Sequence, residues 1–292
     1  MTARRSEQGH GASVRGLQPA KTDANASVVP WRKLGFIGDG FFFLALAVGF
    51  VFQVPWVTAL WRWLEGPIAS GYLAAILSSF AAGSFLLAWS GEWRAAIGGT
   101  AALIITCLGF ATHVAVRAAL GEGDDLLTHA AVLAVVAALA VSTLVASLKS
   151  GATDTRPVPR GLRYFFLAFA LLVLVCGIGL LFGAAGIMPW DLAPQSSLLT
   201  GWIFVGLSFE YAYVALRGAV PDARVLLVGF LVYGTVFALP MLRYLGAVEP
   251  SHLVSLVANL GVLVLSAPLA IFYLTMAEAT RPIVPRRDAI QP

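Results

Sequence analysis

Apolar residues in this chain neither alternate nor keep to one helical face. They run together in eight long stretches, parted by short segments where Arg, Lys, Pro and Gly collect. The stretches cover 34–54, 70–90, 95–116, 128–148, 163–187, 197–216, 224–245 and 252–276. Each is close to the roughly 20 residues that a helix needs to cross the hydrocarbon core of a bilayer. Strand-like alternation is missing from these runs, and inside lipid only helices and closed barrels satisfy their own backbone groups. The pattern therefore predicts an all-α polytopic membrane protein with eight transmembrane helices. It divides the chain into a disordered polar tail (1–33), a first four-helix half (34–148), a basic linker (149–162), a second four-helix half (163–276) and a short tail (277–292).

Composition agrees: 59% of the residues are hydrophobic and only 12% charged, against about 25% charged in an average soluble domain. Charge adds orientation. Sixteen Lys and Arg residues fall in the N-terminal tail, at Arg94, in the linker, at Arg217 and Arg224 and in the C-terminal tail, against Arg62, Arg117 and Arg243 on the other side. By the positive-inside rule both termini are expected in the cytoplasm. The net charge of +4 and pI near 9.3 come from these topology signals, and no basic patch interleaved with aromatics points to nucleic acid. Arg4-Arg5 lies too far from the first apolar run to read as an export signal. Trp31, Trp56, Trp61, Trp63, Trp89, Trp93 and Trp190 sit at span ends, where indole favours the headgroup layer. The preference for Arg over Lys, with abundant Ala and Gly, fits a GC-rich bacterial source, so the expected location is a bacterial cytoplasmic membrane.

The two halves resemble one another in order, which predicts two parallel four-helix repeats. Pro55-Trp56 recurs as Pro189-Trp190, Gly71-Tyr72 as Gly201-Trp202, and Leu77-Ser78 as Leu207-Ser208. Arg94 and Gly99 recur as Arg224 and Gly229, and His129 and His252 each open the last span of a half. An even number of spans per unit makes the repeats parallel, an arrangement found in transporters that bind ligand between their halves. Small residues in the second span (Ala74, Ala75, Ser78, Ala81, Ala82, Gly83) and the fourth (Ala130, Ala134, Ala137, Ala138, Ala140) mark these helices as central. Gly35, Gly38 and Gly40 permit close approach or local unwinding around Asp39.

Ionisable groups inside a bilayer cost about 2.5–3.5 kcal/mol each and demand a reason. Two carboxylates qualify. Asp39 lies about 9 Å past Lys33 and Glu210 about 10.5 Å before Arg217 at 1.5 Å per residue, a similar depth in the inner half. Facing one another, they would bind a cation or share a proton, with Tyr211, Tyr213, Ser78 and Ser208 as hydroxyl partners. Neither has an acidic counterpart in the other half: Asp39 aligns with about Val173 and Glu210 with Phe80. The bland alternative makes Asp39 a cap near the interface and Glu210 a neutral acid bonded to a neighbouring helix.

On the opposite side His113, His129 and His252 share one level with Arg117 and Arg243. Three imidazoles can hold a metal, or two can ligate haem. None has ligand spacing within a helix, and interfacial packing is the commoner role. Cys107 and Cys176 lie singly inside apolar runs and read as small hydrophobes, and Asp124 and Asp125 as a solvated loop. No phosphate loop, zinc-protease helix, nucleophile elbow, paired-cysteine motif or diphosphate-binding aspartate motif occurs, so a non-enzyme is favoured over an enzyme, and the cofactor is left open. The leading expectation is a carrier or binding protein for a small molecule or ion, built on a buried carboxylate. A non-catalytic membrane subunit or scaffold comes second, and a haem- or metal-binding redox protein third. The bilayer is the one certain partner.

Overall fold

The computed structural model describes residues 28–60, 66–121, 126–152 and 154–280. Outside the described residues lie the expected N-terminal tail up to residue 27, Trp61, Arg62, Trp63, Asp124, Asp125, Arg281, Arg286 and Arg287. The described residues form nine α-helices: α1 (Val28–Val51), a short α2 (Pro55–Ala59), α3 (Gly66–Ser90), α4 (Ile97–Ala119), α5 (Leu126–Leu148), α6 (Arg160–Leu181), α7 (Pro194–Arg217), α8 (Val220–Tyr244) and α9 (Leu253–Ile271). All but α2 are long and apolar enough to span a membrane. A 3₁₀ turn, Trp93–Ala96, leads directly into α4, and α9 ends in a π turn, Phe272–Met276. A multi-pass helical membrane protein is what these elements describe.

Local chemistry sets the ends. Pro lies in the first two positions of α2, α7 and α8, where a missing N–H costs nothing. Asp222 at the third position of α8 accepts the Ala219 N–H at 2.7 Å, satisfying an otherwise free donor. The expected fifth span, 163–187, stops at Leu181, because Gly183 takes φ +73° and closes a left-handed cap. In that cap Ala184 N–H reaches Gly179 O at 2.9 Å and Gly183 N–H reaches Leu180 O at 3.0 Å. Helix α1 ends in the same way with Gln53 at φ +53°, where Val54 N–H meets Gly49 O at 2.9 Å. After each cap the chain folds back onto its own helix. A Cβ on Gly49 would come within 2.5 Å of the branched Val57 side chain, which leaves room for glycine alone, while one on Gly179 would come within 2.7 Å of the Ile187 side-chain tip and displace it.

The eight long helices form two layers. In one, α1 packs on α3, α3 on α8 and α8 on α9; in the other, α5 packs on α4, α4 on α7 and α7 on α6. Each layer thus takes two helices from either side of the linker, and the chain halves interlock. Close backbone approach between the layers is confined mainly to the Trp93–Ala96 turn and the α7–α8 connection. Helices α3, α4, α7 and α8 are the inner, more buried members.

Two seams of small residues hold the inner pairs, where lipid supplies no hydrophobic drive and close van der Waals contact must do the work. On α3, Gly71, Ala75, Ser79 and Gly83 recur every fourth residue. Gly71 receives Pro240, Ser79 Oγ donates to Gly229 O at 3.0 Å, and Gly83 receives Val225. On α4, Gly109 receives the Trp202 ring, and Thr106 Oγ1 donates to Trp202 O at 3.2 Å. Gly206 of α7 lies directly against the Ala102 backbone.

Several sequence expectations change here. Helix α5 is peripheral, since it packs closely on α4 and on the Trp93–Ala96 turn that leads into α4: Ala130, Ala137 and Ala140 make one buried stripe while Ala134 and Ala138 face outward. Of the glycines near Asp39, only Gly40 is packed, beneath the Phe85 ring; Gly35 and Gly38 have nothing within 4 Å. Trp31, Trp56 and Trp89 are exposed as interfacial indoles should be, but Trp93 and Trp190 are buried. Trp93 stacks on Phe36 at 5.4 Å, and Trp190 packs on Tyr72 and Phe237.

Candidate functional site

Between the layers lies a cavity of about 630 Å³ to which all eight long helices contribute. On α3 its lining runs from Tyr72 to Leu87, about 22 Å along the helix. Two apolar clusters bound it. At the far end Tyr72, Ile76, Phe110, Trp190, Phe237 and Met241 pack together, and toward the linker Leu162, Phe166, Tyr211, Leu227 and Phe230 do.

The α4–α7 seam positions the acid of this cavity. Trp202, Gly206 and Glu210 follow one another at intervals of four on α7, so all three meet α4. Opposite Glu210 are Gly98 and Gly99: a Cβ at Gly99 would stand 3.2 Å from Glu210 Oε1, and one at Gly98 3.3 Å from its Cγ. The two glycines make the recess in which the carboxyl lies. Glu210 is 7% exposed and lines the cavity. Among the described residues no side chain or backbone group donates a hydrogen bond to its carboxyl, and no cation pairs with it.

Asp39 lines the same cavity from α1 but is exposed, so the cavity is open at its level. Tyr211 lines it too, buried and stacked on Phe230 at 5.4 Å. Tyr213 does not; it turns toward Gly98 and the ionic residues near Arg94 and Asp222. Ser78 and Ser208 are absent from the lining, and Ser208 Oγ returns to Val205 O at 2.7 Å. The lining instead includes Tyr72, Tyr233, Asn259 and Ser79, which sequence reading passed over. Tyr72 was legible in part, as the one large polar side chain in the small-residue run of α3. Its hydroxyl is buried and has no hydrogen-bond partner among the described residues. The chain matches no protein-family model, no curated protein and no solved structure.

The far-face residues do not converge as three imidazoles. Among the described residues the one group of three ligand-type side chains close enough for a metal is Asp191, Glu249 and His252. His252 Nε2 meets Asp191 Oδ1 at 3.1 Å, while the buried Nδ1 has no partner among the described residues. A metal on Nε2 would force the proton onto Nδ1, where no acceptor waits. The geometry suits an Nε2–H donated to Asp191, a clamp between the start of α9 and the loop after α6. Ser255 Oγ reinforces it by donating to Met188 O at 3.1 Å. His113, His129 and Arg117 are half-buried and engaged with neighbours, and Arg243 is exposed.

At the linker face an ionic knot closes the fold. Asp154, buried in the linker, accepts from Arg156 Nε at 2.9 Å and Nη2 at 2.7 Å, with Arg224 Nη2 at 3.6 Å. These Arg156 hydrogen bonds hold the Asp154 carboxyl below its ordinary value of 3.8. Arg224 Nε donates to Thr280 O at 2.6 Å, and Val220 N–H reaches Arg156 O at 2.9 Å, tying the linker, α8 and the segment after α9 together. Glu92 acts electrostatically on Arg224, and Arg94 on Asp222, across the layers.

Proposed function

We propose that this chain is a carrier for a small molecule in a bacterial cytoplasmic membrane, with both termini and the linker inside and Glu210 as its central binding group. The observation that carries this reading is the unpartnered Glu210 carboxyl on a cavity lined by every long helix. A carboxyl with packing as its only role would be expected to hold a hydrogen bond to a neighbouring helix. A scaffold gains nothing from a cavity of this size at its centre.

A duplication into two parallel repeats would support the same reading. A spacing of 130 positions relates the two left-handed caps after Phe52 and Phe182, and the fold-backs of Val57 onto Gly49 and Ile187 onto Gly179. It also relates Glu92-x-Arg94 to Asp222-x-Arg224. Under this exchange the α3–α8 seam maps onto α7–α4, and each outer pair maps onto another outer pair. A pseudo-two-fold along the membrane normal would then pass through the cavity. The caps favour a register of 130, which would make Phe169 rather than Val173 the counterpart of Asp39 and leave Phe80 as that of Glu210. All four line the cavity, which makes the site single and asymmetric. In a carrier of this kind the linker-face knot is a gate, whose crossed pairs Glu92–Arg224 and Arg94–Asp222 separate when that side opens.

Native mass spectrometry on protein gently extracted from its membrane tests the proposal. A small-molecule adduct on the wild type, absent from folded Glu210→Gln, is the expected result. A protein subunit in fixed ratio, with no adduct in either form, would instead make the chain a scaffold.

A further inference from the structure

We infer that the ligand of this cavity is an amphipathic organic cation: one positive charge on an apolar body, with a hydrogen-bond acceptor at the end remote from the charge. The inference rests on the binding reading above and adds the chemical class. Charge decides the sign. The lining contains two carboxyls, Asp39 and Glu210, and no Lys, Arg or His. An ionised carboxylate in apolar surroundings is costly until a cation joins it, and an anion brought to the same place would be repelled.

The walls decide between an inorganic and an organic cation. Calcium and magnesium take six or more oxygen ligands, whereas the cavity lining is mostly hydrocarbon and aromatic ring. Phe80, Phe169, Phe204 and Phe230 line the cavity with Tyr211, and Phe169 meets the Tyr211 ring edge-on at 4.9 Å. Aromatic faces are electron-rich and attract a poorly hydrated cation. A volume of about 630 Å³ falls in the range of sites for drug-sized molecules and far exceeds a bare ion.

Tyr72 supplies the last element. It lies toward the far end of the lining, its side chain 6% exposed and its hydroxyl without a partner among the described residues. The hydroxyl oxygen is closed off from solvent, so a ligand acceptor meets it only as the ring turns toward the cavity, and the bond so made recovers the cost of a buried donor left unmade. Charge at Glu210, aromatic walls and a donor at Tyr72 describe a molecule with a cationic head and an accepting tail.

The test uses three probes of similar bulk on the full chain in detergent: tetraphenylphosphonium (cation), triphenylphosphine oxide (neutral acceptor) and tetraphenylborate (anion). Binding is read by equilibrium dialysis and by protection of Cys176 from N-ethylmaleimide. Cys176 lines the cavity, whereas Cys107 does not. The expected result is saturable binding of the cation that protects Cys176, weakened about tenfold or more in Glu210→Gln. The anion should give no protection. Protection by the neutral or anionic probe at equal or better affinity, or cation binding unchanged in folded Glu210→Gln, would overturn the cation class and leave a small-molecule site standing. If no probe protects Cys176, the binding reading itself falls, and the cation inference with it.

Discussion

The α4–α7 seam allows a stringent test through Gly206→Ala. A Cβ at this position would stand 2.5 Å from the Ala102 carbonyl oxygen and 2.5 Å from Thr106 Oγ1. Ordinary close C···O contacts begin at about 3.3 Å, so α7 must retreat from α4 by about 0.8 Å. The obstacle is backbone, and no rotamer change relieves it. Overpacking of this kind costs about 1–3 kcal/mol. The Thr106 hydrogen bond to Trp202 O, already at 3.2 Å, would stretch beyond useful range and add about 0.6 kcal/mol. A loss near 2 kcal/mol lowers the folding equilibrium constant roughly thirtyfold. The assay is unfolding of the protein in mixed micelles by added dodecyl sulfate, followed by tryptophan fluorescence. Gly261→Ala is the control, since nothing lies within 4 Å of that position. Because Glu210 is one turn further along α7, the same shift lifts it from its recess, and cation binding should weaken with stability. A Gly206→Ala protein within about 0.5 kcal/mol of wild type would refute the seam and the placement of Glu210 that depends on it.

Three other substitutions separate packing from binding. Gly99→Ala would crowd Glu210 Oε1 at 3.2 Å, a flexible end that can yield toward the cavity; unfolding should change by less than about 1 kcal/mol while affinity for the cation falls. Tyr72→Phe removes a hydroxyl that has no partner among the described residues, so the unfolding midpoint should hold or rise by up to about 1 kcal/mol as affinity for the accepting ligand drops; unchanged binding of triphenylphosphine oxide and of any native ligand would assign Tyr72 to packing. Asp154→Asn should cost about 1–2 kcal/mol at neutral pH, less than a fully buried pair because Arg156 is 35% exposed. Since Asp154 is held below its ordinary value of 3.8, its contribution is complete above that pH and is lost as pH falls through the lower folded value. The gap between wild type and variant in thermal melts should therefore be narrower at pH 3 than at pH 7, and a gap of the same size at both would contradict the knot.

The number of spans and the helical class were written into the sequence, because the bilayer imposes a length and a continuous apolar run that survive without any knowledge of contacts. Asp39 and Glu210 stood out for the same reason: a charge in such a run is rare enough to be seen alone. Partnership was another matter. Small residues looked alike in α3 and α5, yet only α3 is central, since which face of a helix meets which neighbour depends on the whole arrangement. Tyr213 and Tyr211 are two residues apart and were indistinguishable by composition, but a helix turns about 200° between them, and only Tyr211 reaches the cavity. Tyr72 and Tyr233 entered the site from distant segments through the α3–α8 seam. The histidines shared a depth without sharing a place. Sequence determined what crosses the membrane and which groups are costly there; the interlocking of the two layers decided which of those groups face one another, because depth is set by one helix and proximity by two.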